Sequence, residues 1–114
     1  MTIPSYDVGD MVRLGNHAGS NEDDTSRQPF ADVDGTPTDP TNVDLSVRTP
    51  SGLALVYNWP TQGAGTGLLV KEAIGRFYYD LELAEHGLWH WALAGHGVVD
   101  TTERGAFYVR QGTV

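Results

Sequence analysis

The stretch GRFYYDLELAEHGLWHW, from Gly75 to Trp91, holds five of the chain's eleven aromatic residues. Two interpretations of this density are open. Either the rings form an exposed face that stacks sugars or bases, or two neighbouring strands turn their large side chains into one core. The choice between them decides which kinds of function the rest of the chain supports.

Both halves of this stretch alternate with the period of two that is typical of a β-strand. In RFYYDLEL, Phe77 and Tyr79 share a face with two leucines, and in LWHWAL, Trp89 and Trp91 share a face. Each such ring buries about 150–250 Å² of surface, so these four rings would dominate a small core. An exposed stacking platform stays the alternative, for which Tyr78 on the opposite face is the better candidate. The predicted core is Phe77, Tyr79, Leu81, Trp89, Trp91, Phe107 and Val109.

The same alternation extends outward from this stretch in both directions. No segment keeps a helical period of 3.6 for three turns, whereas short alternating runs are separated by glycine and proline turn signals such as TPSG (49–52). Six or seven short strands with regular turns are typical of an antiparallel β-sandwich, which is the predicted fold class. The other predicted strands are DMVRLG (10–15), VDLSVR (43–48), LALVYNW (53–59), LLVKEA (68–73) and GAFYVR (105–110).

Length and composition limit the classes of function. The 114 residues form one predicted domain, 1–114, and the chain contains no cysteine for a disulfide or a thiolate metal site. No apolar run approaches the roughly 20 residues that span a membrane, and the first ten residues lack the layout of a signal peptide. We therefore expect a protein of the cytosol or one assembled there. Its net charge of −8 disfavours nucleic-acid binding through a basic groove, although an acidic wall lets DNA slide past.

One polar segment interrupts the pattern of strands. AGSNEDDTSRQP (18–29) is acidic and has no periodicity, so we predict an extended surface loop inserted into the domain. Long loops in small domains often carry partner contacts, but a neutral insertion is equally open. The candidate contacts to a partner or a channel are Asn21, Glu22, Asp23, Asp24 and Arg27.

Two patterns suggest a metal site and both are weak. DVDGTPTD (32–39) resembles a calcium loop, but alignment on Gly35 puts Phe30 and Thr41 where the two strongest ligands belong. A plain turn is the preferred interpretation. His86 and His90 lie four residues apart with a glycine between them, at a predicted junction of turn and strand that does not suit zinc. We expect all four histidines, which include His17 and His96, at the surface or at sheet edges.

The sequence offers no catalytic constellation. GAGTG (63–67) lacks the Gly-Lys-Ser/Thr ending of a phosphate loop and is interpreted as a hairpin loop. There is no cysteine and no Gly-x-Ser-x-Gly nucleophile elbow. We therefore expect a protein that is not an enzyme and that uses no cofactor and no metal.

A set of turn and core motifs covers most of the chain outside residues 18–29. The motif residues are Tyr6, Gly9 and Asp10; Asp32, Gly35, Pro37, Asp39 and Pro40; Pro50, Ser51 and Gly52; Gly75 and Phe77; Gly87, Trp89 and Trp91; and Gly105, Phe107 and Val109. In this set the chain resembles small immunoglobulin-like proteins encoded by tailed bacteriophages of actinobacteria. The motifs are moderately specific for the fold and only weakly specific for a role.

This resemblance implies an immunoglobulin-like β-sandwich in a structural component of the virion, assembled in the host cytoplasm. The implied role is a head–tail connector subunit of stopper or neck-ring type, which forms a homo-oligomeric ring and contacts portal-side, capsid or tail proteins. It implies no sequence-specific nucleic-acid binding and no membrane. Two alternatives stay open: a decoration protein of the capsid or tail, and a carbohydrate-binding or adhesive module that stacks sugars on Tyr57, Trp59 or Tyr78.

Overall fold

The structure, a computed structural model, describes residues 5–17 and 28–111, and these residues form strands and loops without a helix. The strands are β1 (Ser5–Asp7), β2 (Met11–Gly15), β3 (Asn42–Arg48), β4 (Ala54–Trp59), β5 (Gly67–Leu68), β6 (Val70–Ala73), β7 (Arg76–Glu82), β8 (Gly87–His96) and β9 (Thr101–Arg110). All five strands predicted outside the aromatic stretch, and both strands within it, coincide with observed strands to within a few residues, except that LLVKEA is divided between two.

The strands form two sheets that pack as a sandwich-like all-β fold. The larger sheet has the order β1-β9-β8-β3-β4-β5, and the smaller has the order β2-β7-β6. The alternating apolar residues of both sheets turn inward and meet in one cluster of buried side chains. An all-β sandwich, as the period-two pattern predicts, is therefore the observed architecture.

The aromatic stretch belongs to the interior. Phe77 is 0% exposed, Trp89 is 2% exposed and Trp91 is also buried, while the predicted core residues Leu81, Phe107 and Val109 are buried with them. Tyr79 is partly buried against the cluster. Trp89 stacks on Phe107 with ring centroids 5.7 Å apart. These rings are core, and the indoles of β8 do not lie flat against solvent.

The relation between the two aromatic strands differs from the prediction. The sequence predicts that β7 and β8 are neighbouring strands, but they belong to opposite sheets. The segment 83–86 crosses from one sheet to the other, and Glu85 O in this crossing accepts a hydrogen bond of 3.0 Å from Trp89 Nε1 of β8. The two aromatic strands therefore fill the core from opposite layers.

The prediction of a purely antiparallel sandwich of six or seven strands is wrong at the sheet edges. β1 pairs with β9 in parallel, and β5 pairs with β4 in parallel, so the larger sheet is mixed and nine strands are present in the described residues. The predicted strand LLVKEA divides at Leu69, whose buried side chain packs in the core while the chain passes from β5 in one sheet to β6 in the other. Strands of two and three residues are too short to show alternation.

A buried asparagine joins three segments at one end of the smaller sheet. Asn16 is 1% exposed, and its Nδ2 donates to Gly75 O at 2.8 Å and to Gln28 O at 3.2 Å. Its Oδ1 accepts from Phe77 N at 2.8 Å. Because a buried amide without partners is costly, this network holds the end of β2 against the turn that precedes β7.

Candidate functional site

The outer face of the larger sheet is formed by residues that alternate with the core residues of the same strands. Because Trp89 and Trp91 point inward, His90 and Ala92 point outward. Across the central strands, Ala92 is paired with Ser46 of β3 and with Arg104 of β9. The pattern that builds the core therefore also decides which side chains form this face.

A shallow depression of about 280 Å³ lies at the centre of this face. Its floor consists of small side chains, which let the surface dip between longer neighbours. Three cationic or titratable side chains stand around it, from β3, β8 and β9 respectively. The floor residues are Ser46, Ala54 and Ala92, and the surrounding residues are Arg48, His90 and Arg104.

The two arginines of this depression differ from most other basic residues in the described chain. Arg13 pairs with Asp80 at 2.8 Å, Lys71 pairs with Asp39, and Arg110 pairs with Asp7 at 2.9 Å. Within residues 5–17 and 28–111, Arg48 and Arg104 make neither an ion pair nor a hydrogen bond through their guanidinium groups. We call Ser46, Arg48, Ala54, His90, Ala92 and Arg104 the arginine face.

An acidic residue of β3 on the same outer surface makes its ion pair away from the arginine face. Asp44, two residues before Ser46 on β3, pairs with His96 Nε2 at 3.0 Å. Its charge is therefore turned toward the far end of β8 and not toward Arg48. The arginine face is a positively charged patch on a chain whose net charge is −8.

On the smaller sheet, by contrast, Arg13 and Lys71 are each paired with a carboxylate, and the pKa of each carboxylate follows from its pairing. The hydrogen bond from Arg13 lowers the pKa of Asp80, and the same contact raises the pKa of Arg13. For Asp39, burial acts to raise the pKa, but hydrogen bonds from Lys71 and from Gly75 N outweigh it, so the pKa is lowered. These pairs stabilise surface strands and offer no unpaired charge to a ligand.

A second exposed feature lies at one end of the sandwich. Val33, in the turn after Phe30, is 101% exposed, and Val98, in the loop between β8 and β9, is 73% exposed. Both line one open depression between these two loops. These two exposed valines share the depression with Asp32 and Asp100, and we call Val33 and Val98 the valine tip.

The predicted loop contacts Asn21, Glu22, Asp23, Asp24 and Arg27 lie outside the described residues. The calcium-like segment DVDGTPTD is described, and it forms a turn. Asp32 Oδ1 accepts hydrogen bonds from Asp34 N at 2.9 Å and from Thr36 N at 3.0 Å. The carboxylate that a metal would need serves the backbone of its own turn, as the preferred interpretation expects.

The histidines are dispersed. His86, His90 and His96 are exposed, as expected, but His17 is buried, so its expected surface position is wrong. His17 lies two residues after the end of β2, next to the buried Asn16. In the described ranges no three histidine, cysteine or acidic side chains come together in a geometry that would hold a metal ion.

The glycine-rich segment GAGTG forms a loop that side chains of the residues before it hold in place. Gln62 Nε2 donates to Gly65 O at 3.1 Å, and Asn58 Nδ2 donates to Gln62 O at 2.8 Å. The loop leads from β4 to the parallel strand β5, so its interpretation as a hairpin loop is wrong.

The three side chains considered for sugar stacking do not form one exposed row. Tyr57 is buried and stacks on Tyr79 with centroids 3.9 Å apart. Trp59 is partly buried, with its ring centroid 4.7 Å from that of Phe77. The guanidinium of Arg13 lies 4.0 Å above the Tyr78 ring. Each ring is therefore already covered on at least one side by another side chain of the protein.

Sequence reasoning did not identify the arginine face. Alternation places Arg48 and His90 outward, but the absence of an acidic partner depends on pairing across strands that are distant in sequence.

In the described part of the chain, no helix is long and apolar enough to cross a bilayer. Comparison with known proteins adds no assignment, because no family model, curated protein or solved structure matches this chain significantly.

Proposed function

We propose that this chain is a non-enzymatic structural protein of a tailed bacteriophage particle. In this proposal it is a head–tail connector subunit, of stopper or neck-ring type, that acts through contacts with other virion proteins and with copies of itself. The observation that carries the proposal is the arginine face, a charged and uncovered surface at the centre of the larger sheet. Such a surface is suited to a protein partner.

A second surface supports the assignment to a ring. A subunit of a closed ring contacts its two neighbours through two different patches, because head-to-tail contacts are not self-complementary. The arginine face lies on the broad side of the sandwich, and the valine tip lies at one end between loops. A cationic patch repels a second copy of itself, so the arginine face does not suit the self-complementary contact of a symmetric dimer and requires a different surface on the neighbouring subunit.

The resemblance to small phage proteins also gains support from the places its motif glycines occupy. A Cβ at Gly75 would lie 2.6 Å from Phe30 O, and a Cβ at Gly105 would lie 2.6 Å from atoms of the Trp91 ring. Both positions therefore need glycine for close packing. These motif glycines thus have a physical role in folding.

The same proposal includes an immunoglobulin-like topology. In that fold one sheet contains the second, fifth and fourth core strands, and the opposite sheet contains the third, sixth and seventh. The orders β2-β7-β6 and β9-β8-β3-β4 match this arrangement when β4 is taken as the additional strand of variable-type domains. The parallel pairing of β1 with β9 is compatible with a split first strand.

The experiment that tests the proposed function is removal of the gene from the phage that encodes it, followed by electron microscopy of the lysate. A connector subunit is expected to give filled or emptied heads separate from free tails, with particles restored by the gene in trans. Mass spectrometry of restored particles should then detect the chain. Tailed, infectious particles at normal yield without the chain would refute the connector role. Tailed particles that form normally but lose stability would instead identify a decoration protein.

A further inference from the structure

We propose that the arginine face binds the acidic stretch Glu22-Asp23-Asp24 of a second copy of this chain. The inference rests on the proposed function, since it names the contact through which neighbouring ring subunits would meet.

The arrangement of the arginine face suits carboxylates. Arg48 and Arg104 stand on β3 and β9, on either side of β8, and strands two apart in a sheet are roughly 10 Å apart. Both side chains line the same depression as the small residues Ser46, Ala54 and Ala92, and His90 stands directly beside Arg48 in the strand register. Guanidinium groups bind carboxylates through paired, charge-assisted hydrogen bonds, and the floor leaves room for the peptide that carries them.

Charge complementarity selects the partner. The chain has seven basic and fifteen acidic residues, and Glu22-Asp23-Asp24 is its one run of three consecutive acidic residues. The described cations outside the arginine face are held by partners within their own chain, as Arg13 and Arg110 are by Asp80 and Asp7. A second copy of the chain therefore supplies the acidic segment that this face lacks.

Nuclear magnetic resonance on the ¹⁵N-labelled full chain tests the proposal, because it detects weak contacts residue by residue. On raising the protein concentration, we expect the backbone amides of Ser46, His90 and Ala92 to shift. The shifts should be lost in the triple variant Glu22→Gln, Asp23→Asn, Asp24→Asn. They should also be lost in Arg48→Gln/Arg104→Gln, and they should weaken as salt is added, because salt screens exposed charges.

A matched control separates this contact from general electrostatics. Arg13→Gln/Arg110→Gln removes the same number of positive charges away from the arginine face and should keep the concentration-dependent shifts. A synthetic peptide of residues 18–29, added to the triple variant, should shift the same three amides. Its affinity should be about tenfold lower when the triple variant also carries Arg48→Gln/Arg104→Gln. A peptide carrying Gln and Asn at its acidic positions should shift none.

Three outcomes overturn the proposal. The first is the absence of shifts at these amides at millimolar concentrations of protein and of peptide. The second is a difference between wild type and the triple variant that does not depend on concentration, which would mean that the acidic stretch occupies the face of its own chain. The third is that a short DNA duplex shifts these amides more strongly than the peptide does, which would identify a phosphate site. None of these outcomes affects the gene-removal test, so failure of the inference and failure of the proposed function are distinguishable.

Discussion

The two faces of strand β8 (Gly87–His96) illustrate different constraints on one segment. Trp89, Trp91 and Leu93 turn into the core and are buried, whereas His90 and Ala92 turn outward to the arginine face. The inward residues are explained by folding alone, because burial of their apolar surface stabilises the sandwich. The outward residues are not needed for that burial. Arg48 on β3 and Arg104 on β9 flank them and make no ion pair within the described residues, which favours a partner at this face.

The largest expected effect tests this comparison at two adjacent residues, one on each face of β8. Trp89→Ala removes a ring that stacks on Phe107 in the core, and we expect it to lower the free energy of unfolding by about 3–5 kcal/mol. His90→Ala, one residue away and exposed, should change it by less than about 0.5 kcal/mol. Urea denaturation followed by tryptophan fluorescence and circular dichroism measures both. Similar losses for the two variants would contradict the division of β8 into an inner and an outer face.

The second prediction concerns the one amide side chain in the described interior. Asn16→Ala removes hydrogen bonds to Gly75 O and from Phe77 N, and leaves both backbone groups buried without those partners. We expect a loss of about 2–4 kcal/mol in the free energy of unfolding. Asn42→Ala, at an exposed position that begins β3, is the matched control and should change stability little. A loss in Asn16→Ala no larger than in the control would show that the network does not stabilise the fold.

The third prediction tests how closely the inner face is packed. Gly105→Ala places a methyl group only 2.6 Å from ring atoms of Trp91. The ring must move, and we expect a cost of about 1–3 kcal/mol with a change in near-ultraviolet circular dichroism. Thr102→Ala, exposed on the same strand, is the control. An unchanged spectrum and unchanged stability would mean that the packing around Trp91 is loose enough to accommodate an extra methyl group.

The smallest expected effect is the pH dependence of an outer ion pair on the smaller sheet. The pKa of Asp80 is lowered by the hydrogen bond from Arg13, so its contribution is present above the unfolded-state value near 3.9 and is lost as the pH falls through the folded-state pKa. Both side chains are largely exposed, so we expect Asp80→Asn to cost only about 0.5 kcal/mol at neutral pH. The difference between wild type and variant should shrink on acidification. A difference between wild type and Asp80→Asn that grows in acid would contradict this account.

The inner face could be predicted from the sequence because burial imposes a repeated pattern. Val43, Leu45 and Val47 alternate over the whole of β3, and each is buried as the alternation requires. The turn at 49–52 was equally readable, and Gly52 N donates to Thr49 O at 2.9 Å within it. Local pattern and local turn chemistry are contained in a few consecutive residues.

Other features could not be predicted because they depend on residues far apart in the chain. The parallel pairing of β1 with β9 joins segments about a hundred residues apart in sequence, and a three-residue strand carries no period. The role of Asn16 depends on Gly75 and Phe77, which approach it only in the fold. The arginine face was missed for a similar reason, since whether Arg48 and Arg104 have acidic neighbours depends on the register of the sheet.

The most direct test of the central claim is the yield of tailed, DNA-filled particles when the gene-deleted phage is complemented with Arg48→Gln/Arg104→Gln. The variant should fold with wild-type stability, because both side chains are exposed and make no ion pair within the described chain. We predict separate heads and tails in that lysate, and normal particles with the charge-matched Arg13→Gln/Arg110→Gln. Normal yields of tailed particles with the Arg48→Gln/Arg104→Gln variant would contradict the claim that the outer face of the larger sheet is where this protein meets its partner.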